Sequence, residues 1–131
     1  ELGALVSGAE PSVVRKLRRF GYFAGMAYQI IDDILDIIST DKALGKPAGS
    51  DLLNGHLTLP IFFIKDDEEF QPFMARAFDG TLTETERFEM LAYIRKTGAI
   101  EKAQAEIASL PENDAKKAFM QISAFIGKRK Y

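Results

Sequence analysis

The sequence predicts an all-α helical bundle, and three observations carry that prediction. Apolar residues recur at three- and four-residue steps through most of the chain, the spacing that lines one face of a helix. No stretch alternates apolar and polar residues as a half-buried strand does. The breaks between periodic segments are short and rich in glycine and proline, as in bundles with close connections.

The longest segment begins at Pro11, which suits a first helical position, with Glu10 as its boundary. Val13, Val14, Leu17, Phe20, Ala24, Ala27, Ile31, Ile34, Leu35 and Ile38 then follow helical spacing. That is about 40 Å of helix at ~1.5 Å per residue. Gly21 and Gly25, four apart on it, offer a close approach to another helix, unless they are merely tolerated there. Before this helix, ELGALVSGA reads as the end of another, broken by Gly8 and Pro11. With no initiator methionine, the expectation is that residues precede Glu1.

Residues 39–50, STDKALGKPAGS, read as a loop. DLLNGHLTLPIFFI is expected to be one helix starting near Asp51, disturbed by Gly55 and Pro60. DDEEFQPFMARAF predicts a short helix split or begun at Pro72. Thr83 and Glu86 form a capping box, opening a helix that Gly98 ends. Residues 99–110 predict a further helix stopped by Pro111, and residues 114–128 a last one. The 131 residues fit a single helical domain.

Composition removes several function classes. The formal net charge of −2 offers no field for nucleic acid or an acidic membrane surface. There is no cysteine, which excludes disulfides, thiol catalysis and zinc–thiolate sites and suits a reducing cytoplasm. No apolar run approaches the ~20 residues that span a bilayer, and the opening has no basic segment of a secretory signal.

One stretch resists a purely structural reading. In YQIIDDILD, residues 28–36, three acids interrupt an apolar run. Burying a carboxylate without a partner costs several kcal/mol or forces it to neutralise. At ~100° per residue, Asp32 and Asp36 lie ~40° apart round the helix, and Asp33 and Asp36 ~60° apart. The spacing therefore predicts three carboxylates on one patch, where repulsion is relieved by a cation between them. An oxygen-only donor set suits Mg2+ or Mn2+, with substrate phosphate filling the shell. The plain alternative is a solvated acidic face, and the apolar residues on all sides argue for a cavity instead.

The next segment adds to this. GKPAGSD places Lys46 between glycine-permitted turns, where an ammonium can oppose a metal-bound polyphosphate. Otherwise Lys46 is a solvated loop lysine. Asp51 reads as a helix N-cap or as a supporting acid near the metal. His56, the only histidine, is either a phosphate contact or a half-buried polar residue. Gln29, one turn before Asp33, is either a core amide or directed into the same cavity.

FGYFAGMAYQIIDDILD followed by GKPAGSDLLNGHLTLP resembles the trans-isoprenyl diphosphate synthases, or polyprenyl synthetases. The shared marks are the second aspartate-rich D-D-x-x-D motif with its preceding aromatic and glutamine, and the G-K-x-x-G-x-D loop ending in Thr-Leu-Pro. The form here is most similar to long-chain bacterial enzymes, heptaprenyl-type catalytic subunits included. The resemblance implies the C-terminal part of the isoprenoid synthase fold, Mg2+ dependence, and condensation of an allylic diphosphate with isopentenyl diphosphate. It implies a homodimer, or a heterodimer with a small subunit. Carried over by position, it makes Asp32, Asp33 and Asp36 the motif acids, Asp32 leading and Asp36 more outer-shell. Lys46 then binds the allylic diphosphate, Gln29 stands beside the developing cation, and Asp51 supports the metal site. His56 falls where short-chain members often carry lysine, which puts a diphosphate role for it in doubt. The family's first aspartate-rich motif and the arginines after it have no counterpart here, so the chain reads as part of a longer domain. A class I terpene cyclase is the other enzymatic reading, disfavoured by the G-K-x-x-G-x-D loop. A non-catalytic helical partner subunit is the non-enzymatic one.

Overall fold

The computed structural model describes residues 2–110, Lys117 and Gln121. The helix expected over residues 114–128 lies outside the described residues. Among the described residues there are helices and turns and no strand, as the periodicity requires. The elements are α1 (Leu2–Val6), α2 (Pro11–Ile38), α3 (Asp41–Leu44), α4 (Ser50–Leu53), α5 (Leu59–Phe62), α6 (Gln71–Asp79), α7 (Glu84–Lys96) and α8 (Ala99–Ala108).

The long helix α2 starts on Pro11 and carries two different halves. Its C-terminal half buries Ala27, Ile31, Ile34, Ile37 and Ile38, which pack with Ile61 of α5, Met90, Leu91 and Ile94 of α7, and Ala103 and Ile107 of α8. Its last turn leaves carbonyls without helical partners. Arg95 of α7 donates two hydrogen bonds, 2.7 and 3.2 Å, to one of them, Ile37 O. The N-terminal half keeps the helical pattern, yet Val13, Leu17 and Phe20 are exposed. Gly21 and Gly25 have open space where a Cβ would stand, so no described helix makes the expected close approach there.

Three expectations need correction. The segment expected as a loop contains one helical turn, α3, because Thr40 Oγ1 accepts the Ala43 N–H and Gly45 closes the turn at φ 68°. The segment after Asp51 is two short helices rather than one. Gly55, at φ 83°, breaks the ladder, and Pro60 begins the next turn. Asp51 is no N-cap: Gly49 holds that position, and Asp51 lies in the first turn of α4. Other expectations match. Pro72 lies in the first turn of α6, and Thr83 and Glu86 form both bonds of the capping box at α7.

Among the described residues Gly49 is the tightest glycine. It sits at φ 77°, and a Cβ there would lie 3.1 Å from Leu91 Cδ2 and 3.5 Å from Met90 Cε. Its N–H donates to Asp36 O at 2.8 Å, tying the loop to the end of α2. Gly49→Ala is therefore expected to cost about 1–3 kcal/mol by denaturant titration, because a left-handed backbone and a close contact are imposed together. Gly45→Ala, at positive φ with nothing within 4 Å, should show only the smaller backbone part. Equal losses for the two variants would remove the contact with Leu91 as a cause.

A carboxylate and lysine centre beside an apolar cleft

The last two turns of α2 bring the motif acids to the N-termini of α4 and α5, and each acid meets different partners. Asp33 is buried. Its Oδ2 accepts the Leu59 N–H at 3.0 Å, in the first turn of α5, and its Oδ1 accepts Gln29 Nε2 at 3.0 Å. Asp36 is only 3% exposed. Its Oδ1 accepts Ser50 Oγ at 3.2 Å, and its Oδ2 accepts the Asp51 N–H at 3.3 Å. Lys46 Nζ lies 3.1 Å from Asp36 Oδ1 and 3.0 Å from Asp51 Oδ1. Hydrogen bonds to Asp51 and then Asp36 hold the Lys46 ammonium above the usual lysine pKa, against a smaller opposing effect of burial. Asp32 is exposed, and its side chain has no hydrogen bond or ion pair to another described residue.

The expected convergence of three carboxylates is thus corrected. Asp33 and Asp36 turn inward to separate backbone donors, and Asp32 stays on the outer side of the helix. Among the described residues no three histidine or acidic side chains are arranged to hold one ion. The donor set does fit an ion whose shell is completed by substrate phosphate, since Mg2+ takes one or two carboxylates and keeps the rest of its sphere for water and phosphate. Asp32 is the carboxylate left open for that, and Asp33 is its neighbour on the helix.

Gln29 is exposed rather than a core amide. It lines a cleft of about 300 Å³ with Met26, Ile30, Leu59 and Glu106. This cleft is predominantly apolar and lies along α2 one turn before the acids. His56 is exposed as well, which corrects the half-buried alternative, and its side chain has no hydrogen-bond partner among the described residues.

Sequence reasoning missed Arg87 altogether. This α7 side chain is 3% exposed and reaches the far side of the Lys46 loop. Nη1 donates to Asp41 Oδ1 at 3.1 Å and to Ala48 O at 2.9 Å, Nη2 donates to Asp41 Oδ2 at 2.7 Å and to Glu84 Oε1, and Nε donates to Glu84 Oε2 at 3.2 Å. Asp41 Oδ1 also accepts the Ala48 N–H at 2.8 Å. The Arg87 guanidinium is the chief reason the Asp41 carboxyl is held down to about 2. Glu84 is three residues away, but the partners that tie Arg87 to the loop, Ala48 and Asp41, are 39 and 46 residues away, so no local pattern marks that role.

The fold and this centre define an all-α protein with a carboxylate-and-lysine site beside an apolar cleft. Residues 1–93 match the sequence model of the family Polyprenyl synthetase, and the chain belongs to that family. It is 38% identical to heptaprenyl diphosphate synthase component 2 of Geobacillus stearothermophilus, over all of this chain and 44% of that protein. It is 37% identical to the protein of the same name from Bacillus subtilis (strain 168), over all of this chain and 40% of that protein. The heptaprenyl diphosphate synthase structure from Staphylococcus aureus superposes with a TM-score of 0.66 at 37% identity, over 98% of this chain and 44% of that one. A geranylgeranyl pyrophosphate synthase from Corynebacterium glutamicum, solved with calcium and isoprenyl diphosphate, superposes with a TM-score of 0.61 at 30% identity, over 97% of this chain and 43% of that one. The chain therefore spans less than half the length of these relatives. Among the described residues no helix is long and apolar enough to cross a membrane.

Proposed function

We propose that this chain supplies part of the active site of a prenyltransferase that condenses an allylic diphosphate with isopentenyl diphosphate. It is then the C-terminal part of a longer polyprenyl synthetase domain. The observation that carries the reading is that one stretch of α2 bears the open carboxylate of Asp32, the Asp36 carboxylate on which the loop lysine Lys46 rests, and, one turn before them, a wall of a predominantly apolar cleft. A diphosphate with a hydrocarbon tail has the matching chemistry at both ends.

Asp32 and Asp33 are the residues that would hold Mg2+, or Mn2+, together with substrate phosphate. When bound, such an ion would supply positive charge opposite the leaving diphosphate. Lys46 opposes the same diphosphate as a point charge. In the structure its ammonium rests on Asp36 and Asp51, so those acids aim it and sit behind it, an outer-shell part for both. Gln29 has its amide nitrogen committed to Asp33, which leaves its carbonyl oxygen to face an allylic cation in the cleft. Met26, Ile30 and Leu59 give that cation an apolar wall on this side. His56 has no assigned part.

The heptaprenyl relatives are named component 2, which supports action with a second subunit. A cytoplasmic location belongs to the same reading, and the cysteine-free sequence suits it.

Titration calorimetry of the full-length protein with inorganic pyrophosphate tests the site, with and without Mg2+. Asp32→Ala is expected to abolish most of the Mg2+-dependent gain in affinity. Lys46→Met should weaken binding about tenfold or more, less so at high salt, because a charge pair in a partly solvated site is screened. Unchanged Mg2+-dependent affinity in both variants would place the diphosphate elsewhere.

A further inference from the structure

We propose that Arg87 is a positioning residue for the diphosphate-binding loop, acting on substrate through Lys46. The inference rests on the assignment of Lys46 to the diphosphate.

The loop that carries Lys46 runs between Asp41 and Ala48 and contains Gly45. Left to itself such a segment samples many conformations, and the binding-competent one is only a fraction of them. Apparent affinity falls in proportion to that fraction. The neck of the loop is closed by two complementary bonds at one residue. Ala48 N–H donates to Asp41, and Ala48 O accepts from Arg87. Arg87 also takes both oxygens of Asp41, so one guanidinium grips both ends of the loop at once. Its remaining donors go to Glu84 on its own helix, which fixes the fork in turn. All five N–H donors of the guanidinium are thereby in use.

The clamp lies on the side of the loop opposite Asp36. From the α2 side the loop is held by Gly49 N–H on Asp36 O and by Ser50 on the Asp36 carboxylate. From the α7 side it is held by Arg87. Lys46 is the part of the loop between these anchors, 43% exposed, with its ammonium at the acids. Arg87 touches neither Lys46 nor the cleft, so its effect on ligand has to pass through the loop.

A lysine at 87 keeps the charge but has no planar fork, and it cannot reach Asp41 bidentately while holding Ala48 O. This gives a test that separates positioning from plain stability. The dissociation constant of inorganic pyrophosphate in Mg2+ is measured on the full-length protein for wild type, Arg87→Lys, Lys46→Met and the double variant. Arg87→Lys is expected to raise it about tenfold in the wild-type background and to add nothing in the Lys46→Met background, since the two residues act in series. Amide exchange at Ala48 and Gly49 should quicken in the same variant. Ile94→Val, a mild core loss on the same helix, should leave the constant unchanged. Asp41→Asn offers a second route if Arg87→Lys folds poorly, with a smaller shift in the same direction. An unchanged constant in both clamp variants overturns the proposal, as does an equal rise with and without Lys46. An unchanged constant in Lys46→Met alone overturns instead the assignment of the lysine on which the proposal stands.

Discussion

Asp36→Ala is expected to lower the unfolding free energy by about 2–4 kcal/mol, the largest loss for any single polar side chain of the site. A buried donor left without its acceptor costs ~1–3 kcal/mol. Removing this carboxylate strands two donors, Ser50 Oγ and the Asp51 N–H. Lys46 keeps Asp51, and it is 43% exposed, so its share of the loss is small. Asp36→Asn should fall between wild type and alanine. One amide oxygen can replace one acceptor, but the NH2 group then faces another donor. Denaturant unfolding of the three proteins reads this order directly. A loss under ~1 kcal/mol for alanine would mean that Ser50 and Asp51 find other partners. The experiment also bears on mechanism. If Asp36 works from behind Lys46, both variants weaken pyrophosphate binding through loss of aim, and Lys46→Met removes most of that difference.

Why some of this could be read from the sequence and some not follows from where the partners lie. The 28 residues of α2 announce themselves through spacing alone, because an apolar stripe at helical period depends only on neighbours in sequence. The start of α7 is equally local, since Thr83 and Glu86 bond each other across three residues. The acids, Lys46 and Gln29 stood out because carboxylates within an apolar run demand an explanation. Their actual partners did not stand out. The N–H that holds Asp33 exists only because Gly55 and Pro60 break the following helix and present Leu59 at a fresh N-terminus, 26 residues on. Asp33 and Asp36 are drawn to separate donors for a related reason. Angular spacing on a helix says which residues share a face, but not which will be drawn away to donors on other elements. Arg87 sits in TETERFEM, a charged stretch that reads as solvent surface. Its burial is decided by Asp41 and Ala48, which the fold brings to it from the other side of the loop. The N-terminal half of α2 shows the opposite case: Val13, Leu17 and Phe20 obey the periodicity of a buried face and are nonetheless exposed.

Residues 1–131 expressed alone are expected to make no longer prenyl products from allylic and isopentenyl diphosphates with Mg2+. The allylic cation survives only in an enclosed apolar site. The cleft beside Gln29 has Met26, Ile30 and Leu59 along its wall and the exposed Glu106 at its edge, so water reaches it. The leaving diphosphate needs charge on more than one side. The described residues offer Lys46 and the open Asp32, and no three-ligand ion site. Arg15, Arg18 and Arg19 lie on α2 more than three turns before Asp32, at ~5.4 Å per turn, too far to share that diphosphate. The same surface predicts self-association. Val13, Leu17 and Phe20 share one face of α2 by helical spacing and are exposed, as are Leu5 and Val6 of α1, and exposed apolar surface of that kind drives aggregation or pairing. Two measurements decide it together: light scattering for the association state, and product analysis by thin-layer or mass detection for turnover. Aggregated, inactive protein that gains activity when the rest of the polyprenyl synthetase domain is supplied in trans is the expected pair. Robust elongation by a monomer of these residues would show that one lysine loop and one open carboxylate suffice, and the two-sided hold on the diphosphate would have to be given up.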